Sequence, residues 1–288
     1  MIHKMRVDAG RFIQGIILSG FTALLLKLFW TGEIRKLVAP HMMVLLAVTV
    51  GVLIMMTAYA FLTMRCVGDE CCHEHGENCG HDHDHDHRVQ KIWAVLILPV
   101  VLGMAVPTQS LGTSMLSSGM YAKPANAKTV DLASVPKVKV EGASLPAKPE
   151  TGSEVSMYEV MNNILIVPEN YFNQRYKYTG FVYHPDGWPE NRMVIMRYVM
   201  VHCAADTLPV GVTVEVEGAS KYKNDTWIQI DATLSTRKSP EIDQVPPVSW
   251  YYGYEDKPVL EAHEIKIIDE PKEPYLYPFG KTGISGGN

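Results

Sequence analysis

The sequence lacks the excess of basic residues that nucleic-acid-binding proteins carry. Lysine and arginine number 26 against 31 aspartate and glutamate residues, which gives a formal net charge of -5. A DNA- or RNA-binding domain normally presents a basic stripe on its surface. We therefore predict that this protein has no nucleic-acid partner.

Cysteine is scarce as well. Only five cysteines occur in 288 residues, and four of them lie between Cys66 and Cys79. That number and placement exclude a disulfide scaffold. The sequence also has no recognisable nucleophile–base motif, Gly-rich phosphate loop or H-E-x-x-H motif. We therefore predict that the protein is not an enzyme.

Acidic residues are missing from three long apolar segments, residues 12–30, 37–64 and 92–111, whose single charged residue is Lys27. A bilayer span needs about 20 mostly apolar residues, so each segment is long enough. The first segment has no small-residue cleavage site after it and is predicted to be a retained helix rather than a signal peptide. We predict a membrane domain over residues 1–111 with three helices and Lys27 snorkelling to the interface. Without acidic groups, these helices are not expected to form an ion path alone.

Basic residues are distributed unevenly around these segments. Six basic residues lie before the first helix or in the loop 65–91: Lys4, Arg6, Arg11, Arg65, Arg88 and Lys91. The short loop between the first two helices has only Arg35 and Lys36. By the positive-inside rule, the N-terminus and the loop 65–91 are cytoplasmic. Three spans then place the C-terminal part outside the membrane.

The C-terminal part changes from apolar runs to alternation. Residues 112–154 are rich in proline and form a predicted linker. Residues 155–288 follow as an extracytoplasmic β domain, with a short helix at 158–166 and five candidate strands, at 176–183, 193–203, 210–216, 228–230 and 265–267. Five short strands are typical of a small barrel of the oligonucleotide/oligosaccharide-binding (OB) type, and an open sandwich is the alternative.

The loop 65–91 is the strongest metal-binding signal. Ten of its 27 residues are cysteine or histidine and seven are acidic. Thiolate and imidazole are ligands that zinc and other soft or divalent ions prefer. We predict metal binding by many interchangeable ligands, because the paired C-x2-C spacing of a closed zinc site is absent. The predicted ligands are Cys66, Cys71, Cys72, His73, His75, Cys79, His81, His83, His85 and His87.

Two further sites are considered in the β domain. His202, Cys203 and Asp206 follow a predicted strand and form a possible second metal site. Neighbours on a strand face opposite ways, so the favoured interpretation is that Cys203 is an inert core thiol. The second site is a possible ligand platform of aromatic residues, Trp250, Tyr251, Tyr252 and Tyr254, for which filling of the core is the favoured alternative.

Five short stretches resemble one family. They are Pro107-x-x-Ser110-Leu111-Gly112, Gly180-Phe181-Val182-Tyr183, the Cys-Ala-Ala-Asp run at 203–206, Thr226-Trp227 and Pro271-x-x-Pro274-Tyr275. Together they are similar to the YcgQ-like membrane proteins, whose C-terminal domain has no known function. The family commonly has Cys-Cys where this chain has His202-Cys203.

The resemblance implies a bacterial cell-membrane protein that acts with a larger multi-pass permease encoded nearby, a pair linked to zinc regulation in some bacteria. The resulting hypothesis is an accessory subunit of a permease, linked to zinc or another transition metal. Two alternatives remain: a metal sensor or metallochaperone without a transport role, and an extracytoplasmic module that binds glycan or peptide.

Overall fold

The computed structural model describes residues 6–7, 9–63, 65–66, 86–116, 146–164, 166–238 and 256–278. The chain divides into two compact units, Met1–Gln109 and Ser110–Asn288. We call the first the helical unit and the second the β unit.

Three long helices and a pair of two-residue strands make up most of the helical unit's described residues. These elements are β1 (Arg6–Val7), α1 (Ala9–Thr31), α2 (Met43–Thr63), β2 (Arg65–Cys66) and α3 (Asp86–Ala105). Strands β1 and β2 pair antiparallel. Helix α1 ends where Gly32 takes a φ of 76°, which glycine adopts without steric cost.

Helix α1 packs against both of the other long helices through glycines. A Cβ added at Gly15 would lie 3.2 Å from the Phe61 ring of α2, and one at Gly20 would lie 3.1 Å from Val100 of α3. Threonine hydroxyls also meet across α1 and α2, since Thr22 Oγ1 lies 3.4 Å from Thr57 Oγ1. Small residues at helix contacts are typical of packing in a membrane.

Two of these helices are long and apolar enough to cross a membrane. The segments are Phe12–Thr31 and Pro40–Thr63, and only 6% of the second is buried within the structure. The apolar part of α3, Val95–Ala105, is shorter. Helix α3 also differs from the predicted segment 92–111: it begins at Asp86 and ends at Ala105. Its end fits Pro107, which cannot donate a helical hydrogen bond and disfavours helical geometry at the residue before it.

The Lys27 side chain contacts the end of α3. Its Nζ donates to the carbonyl oxygen of Met104 at 3.2 Å and to that of Gly103 at 3.5 Å. The last four carbonyls of a helix have no partner within the helix and carry partial negative charge. Lys27 therefore caps the C-terminus of α3.

The described part of the β unit contains one short α-helix and six strands. They are α4 (Met157–Asn163), β3 (Arg175–Tyr183), β4 (Arg192–Val199), β5 (Leu208–Glu215), β6 (Trp227–Lys238), β7 (Asp256–Ile267) and β8 (Tyr275–Leu276). The strands form one mixed sheet in the order β3-β6-β7-β5-β4-β8, and β3 pairs with β4 as well. The β5–β7 and β4–β8 pairs are parallel and the others antiparallel.

The core of this unit is apolar and aromatic. Its fully buried side chains include Tyr176, Tyr178, Phe181, Met193, Ile195, Met196, Ile228 and Ile230. Gly180 lets β3 and β4 approach closely, because a Cβ there would lie 2.5 Å from the Met196 carbonyl oxygen.

Strands β6 and β7 are longer than the two predicted segments 228–230 and 265–267. Each has 12 residues. The register shifts at one point, where Asp231 pairs with Glu264 but Ala232 pairs with Ala262, so His263 is the extra residue of a β-bulge. A bulge interrupts the alternation of inward and outward side chains. The first half of β7 therefore does not continue the alternating pattern that predicted residues 265–267 as a strand.

Both ends of the predicted linker 112–154 belong to the β unit. Residues 110–116 lie in it, and Leu116 is buried. At the other end, Glu154 forms a parallel bridge with Lys177 of β3, and the Val155 N–H donates to the Lys177 carbonyl at 2.9 Å. Residues 117–145, between these ends, lie outside the described part.

Candidate functional site

Three aromatic rings meet at one end of the β unit. Phe181 of β3 stacks on Tyr198 of β4 with ring centroids 5.8 Å apart and planes at 27°. Trp227, the first residue of β6, meets the edge of Phe181 at 5.6 Å and 68°. Such pairs stabilise a fold beyond the apolar area that they bury. The aromatic cluster of Phe181, Tyr198 and Trp227 therefore fixes the ends of three strands together.

Arg197 lies beside this cluster and is 8% exposed. Its guanidinium carbon is 5.3 Å from the centroid of Trp227. The Nε atom donates to the Pro274 carbonyl at 2.9 Å, and Nη2 donates to the carbonyls of Glu273 at 2.7 Å and Tyr275 at 3.2 Å. Burial lowers the pKa of Arg197 to about 10, so it remains a cation at neutral pH. The side chain thus binds the segment Glu273–Tyr275 through its backbone.

Residues 110–116, which we call the docked segment, are bound next to the aromatic cluster. The Leu111 N–H donates to the Tyr275 hydroxyl at 3.0 Å, and the Tyr198 hydroxyl donates to the Gly112 carbonyl at 2.9 Å. Asp225 accepts from the Thr113 N–H at 2.7 Å and from its hydroxyl at 2.9 Å. Asp225 has a φ of 65°, a conformation that aspartate tolerates better than most residues.

Asp206 organises the turn after β4. Its carboxylate accepts the N–H groups of Val201, His202 and Cys203 at 2.9–3.2 Å and lies 2.9 Å from His202 Nδ1. Partial burial raises the pKa of Asp206, but these hydrogen bonds together outweigh burial and lower it. The turn therefore depends on an ionised carboxylate.

The two halves of the chain match the two parts of one family description. Residues 13–122 match the DUF1980 N-terminal domain, and residues 153–278 match the DUF1980 C-terminal domain. The chain belongs to the DUF1980 family. The resemblance to YcgQ-like proteins is thereby confirmed.

Relatives of this DUF1980 chain carry two informative names. A Streptococcus mutans protein, named as a candidate subunit of a two-component membrane permease complex, is 24% identical over 207 residues, which cover 64% of this chain and 72% of that protein. The UPF0703 protein YcgQ of Bacillus subtilis is 25% identical over 118 residues, 41% of this chain and 37% of that protein.

All five stretches that resemble the family have at least part of their length in the DUF1980 β unit, and four of them contribute to the contacts around the aromatic cluster and the docked segment. Ser110-Leu111-Gly112 lies in the docked segment. Gly180–Tyr183 and Thr226-Trp227 supply two rings of the aromatic cluster, and Pro274-Tyr275 supplies carbonyls to Arg197. The fifth stretch, Cys203–Asp206, forms the turn after β4. Residues far apart in the chain thus form one hydrogen-bonded and aromatic assembly.

The structure brings together two of the three residues of the possible second metal site, since His202 Nδ1 lies 2.9 Å from Asp206 Oδ2. Strand β4 ends at Val199 rather than Cys203, because Asp206 takes the N–H groups that would continue the ladder. Cys203 is half-buried rather than in the core that the favoured interpretation gave it. Within the described ranges, no group of three or more His, Cys, Asp or Glu side chains is placed to hold a metal ion.

The other predicted site residues lie mostly outside the described part of the chain. In the loop 65–91, Cys66 lies in β2 and His87 in the first turn of α3. The remaining eight predicted ligands, and the platform of Trp250, Tyr251, Tyr252 and Tyr254, fall outside it.

The sequence-based interpretation missed three residues that organise this region: Tyr198, Asp225 and Arg197. A signal was present for two of them. Arg197 is a cation with apolar or aromatic residues on both sides in β4, where a charge needs a buried partner. Asp225 ends the stretch Lys223-Asn224-Asp225, which is typical of a turn, and a carboxylate there often accepts nearby N–H groups.

Proposed function

We propose that the protein is a non-enzymatic accessory subunit of a membrane permease. The observation that carries this proposal is the exposed apolar surface of α2, a helix long enough to cross a membrane and only slightly buried by its own chain. Surfaces of this kind need lipid or another membrane protein as a partner. The name of the S. mutans relative favours a permease as that partner.

The proposal includes three membrane spans, with α3 as the third. Lys27 lies near the C-terminal end of α1 and donates to a carbonyl near the C-terminal end of α3. The two C-terminal ends are therefore close together, which supports a parallel arrangement of α1 and α3. The N-terminus and the loop 65–91 are then cytoplasmic and the β unit lies outside, as the basic residues favour.

The proposal also gives the β unit a closed fold. The strand pairings connect β3 to β6, β6 to β7, β7 to β5, β5 to β4 and β4 back to β3. A ring of five strands with one parallel pair supports the predicted small barrel of the OB type. We assign this barrel the role of an extracytoplasmic module of the complex.

Co-purification of a permease with the protein tests the proposal directly. Tagged protein, extracted from its native membrane in mild detergent, is expected to bring with it a larger multi-pass permease in comparable amount, identified by mass spectrometry. The double variant Val48→Trp/Met55→Trp adds bulk to exposed positions of α2 and is expected to reduce the yield of permease.

A matched control places the same bulk on another helix. The variant Val95→Trp/Leu98→Trp alters exposed positions of α3, and it is expected to retain the permease. Extraction of the wild-type chain with no permease in comparable amount would refute the proposed function. Equal losses in both variants would refute α2 as the surface that binds the permease.

A metal role for residues 66–87 is the finer part of the proposal, and the composition of that stretch supports it. With ten soft ligands and about four per ion, we expect roughly one to three zinc-like ions per chain. Binding should weaken below pH 6.5 or so, because protonated imidazole cannot ligate. Elemental analysis of a 66–87 deletion should find most of the metal gone; unchanged stoichiometry would place the metal elsewhere.

A further inference from the structure

The docked segment is bound as a peptide ligand is bound. Its backbone is contacted by side chains from three separate elements: Tyr198 of β4, Asp225 of the turn before β6, and Tyr275 of β8. Residues 110–116 include one 3-10 turn, Thr113–Met115, and belong to none of the strands described. The segment therefore lies against the sheet without extending it.

The contacts at Gly112 and Thr113 select particular residues. A Cβ at Gly112 would lie 2.7 Å from Asp225 Oδ1, so a larger residue there would displace that carboxylate. The neighbouring Thr113 hydroxyl donates to Asp225 Oδ2. The Asp225 carboxylate thus accepts hydrogen bonds from the Thr113 N–H and hydroxyl, and it leaves little room for a side chain at position 112.

The segment is held in part by solvent-exposed contacts. Of the hydrogen bonds described above, the two from Thr113 to Asp225 lie at exposed positions. Leu116 supplies its one fully buried side chain. Segments with few buried contacts open locally while the rest of a domain stays folded.

We propose that the β unit carries a binding site for a short peptide and that residues 110–116 of the same chain are its releasable occupant. Ser110 follows directly in the chain on Gln109, the last residue of the helical unit. Release and rebinding would therefore change the length of free chain between the two units without unfolding either of them. This inference does not depend on the permease proposal.

Hydrogen–deuterium exchange on the full chain in detergent tests the release. Gly112→Ala, which places a methyl group against Asp225, and Asp225→Gly, which keeps the positive φ but removes the carboxylate, should each raise exchange in residues 110–116 about tenfold. Strands β3 to β7 should keep their protection. Tyr176→Phe is the control, because its hydroxyl donates to the Asn170 carbonyl at 2.7 Å, in another part of the unit.

A peptide-binding measurement tests the site itself. A labelled synthetic peptide with the sequence of residues 110–116 should bind the Gly112→Ala protein, whose own segment is displaced, and should bind wild-type protein at least tenfold more weakly. The same peptide with alanine in place of its glycine should bind neither.

Either measurement can overturn the proposal. Exchange that rises equally in residues 110–116 and in β3 to β7 would mean that the segment is an inseparable part of the fold. If Gly112→Ala fails to fold, the exchange of the Asp225→Gly protein shows whether residues 110–116 open alone or only together with β3 to β7. Failure of the glycine-containing peptide to bind a folded Gly112→Ala protein would also refute the site.

Discussion

Arg197 brings a charge into the interior of the β unit, and its surroundings explain why a lysine is a poor substitute. The planar guanidinium reaches three backbone carbonyls in different directions while it lies over the Trp227 ring. An ammonium group has no such fork and cannot satisfy the same geometry.

We therefore expect Arg197→Lys to lower the free energy of unfolding by about 1–3 kcal/mol. Denaturation followed by tryptophan fluorescence on the full chain measures it. Arg175→Lys is the matched control: the Arg175 side chain is 53% exposed and pairs with Asp231, so the loss should stay below about 1 kcal/mol. Equal losses would contradict the role given to Arg197.

The Asp206 turn predicts a dependence on pH. Because the folded-state pKa of Asp206 is lowered, ionised Asp206 stabilises the fold above the ordinary pKa of about 3.9, and this stabilisation is lost as pH falls through the folded-state pKa. Asp206→Asn should therefore lower the melting temperature most at pH 7, and the difference from wild type should shrink at acid pH. A difference that stays constant down to pH 3 would argue against this assignment.

At the scale of elements, the approach of β3 to β4 depends on a missing side chain. Gly180→Ala would push a methyl group against the Met196 carbonyl and should cost about 1–3 kcal/mol, measured as a lower melting temperature. Gly51→Ala in α2, where nothing lies within 4 Å of an added Cβ, should be neutral or stabilising. Comparable losses from both substitutions would show that the close contact at Gly180 does not set the cost.

Local patterns were sufficient to predict the long helices and the five longer strands, although not the two-residue strands β1, β2 and β8. Alternation in β5 and the apolar runs of α1 and α2 correspond to elements in the structure, because these patterns depend on neighbours in the chain. The predicted end of β4 was wrong. The cause is local, because the Asp206 side chain accepts the N–H groups that would extend the strand, but no periodic pattern in the sequence reveals it.

The candidate site could not be predicted in the same way. Arg197 meets carbonyls 76 to 78 residues away, and Leu111 meets Tyr275 across 164 residues. No periodicity in the sequence encodes such pairings. The composition of residues 112–154 indicated a linker, yet its ends contact the β unit through individual hydrogen bonds that composition does not reveal, from Thr113 to the Asp225 carboxylate and from the Gly152 N–H to the Arg175 carbonyl.

At the scale of the whole molecule, the proposed topology is tested by the thiol at position 79. In a variant that keeps Cys79 as its single cysteine, a membrane-impermeant maleimide should leave intact cells unlabelled and should react after the membrane is permeabilised. Labelling before permeabilisation would place the loop 65–91 on the outer face and reverse the orientation. A second variant with its single cysteine at Cys203 should show the opposite behaviour.

The bonds between Arg197 and residues 273–275 also impose an order on biosynthesis. Strand β4 leaves the ribosome long before residues 273–276 are made. These residues supply the carbonyls that accept hydrogen bonds from Arg197 and the strand β8, which pairs with β4 at Tyr198 and Val199. During that interval the nascent chain exposes an unpaired strand edge, a template for aggregation and a target for quality-control proteases. Premature stops just before Glu273 should therefore yield degraded protein, although they remove none of the five longer strands.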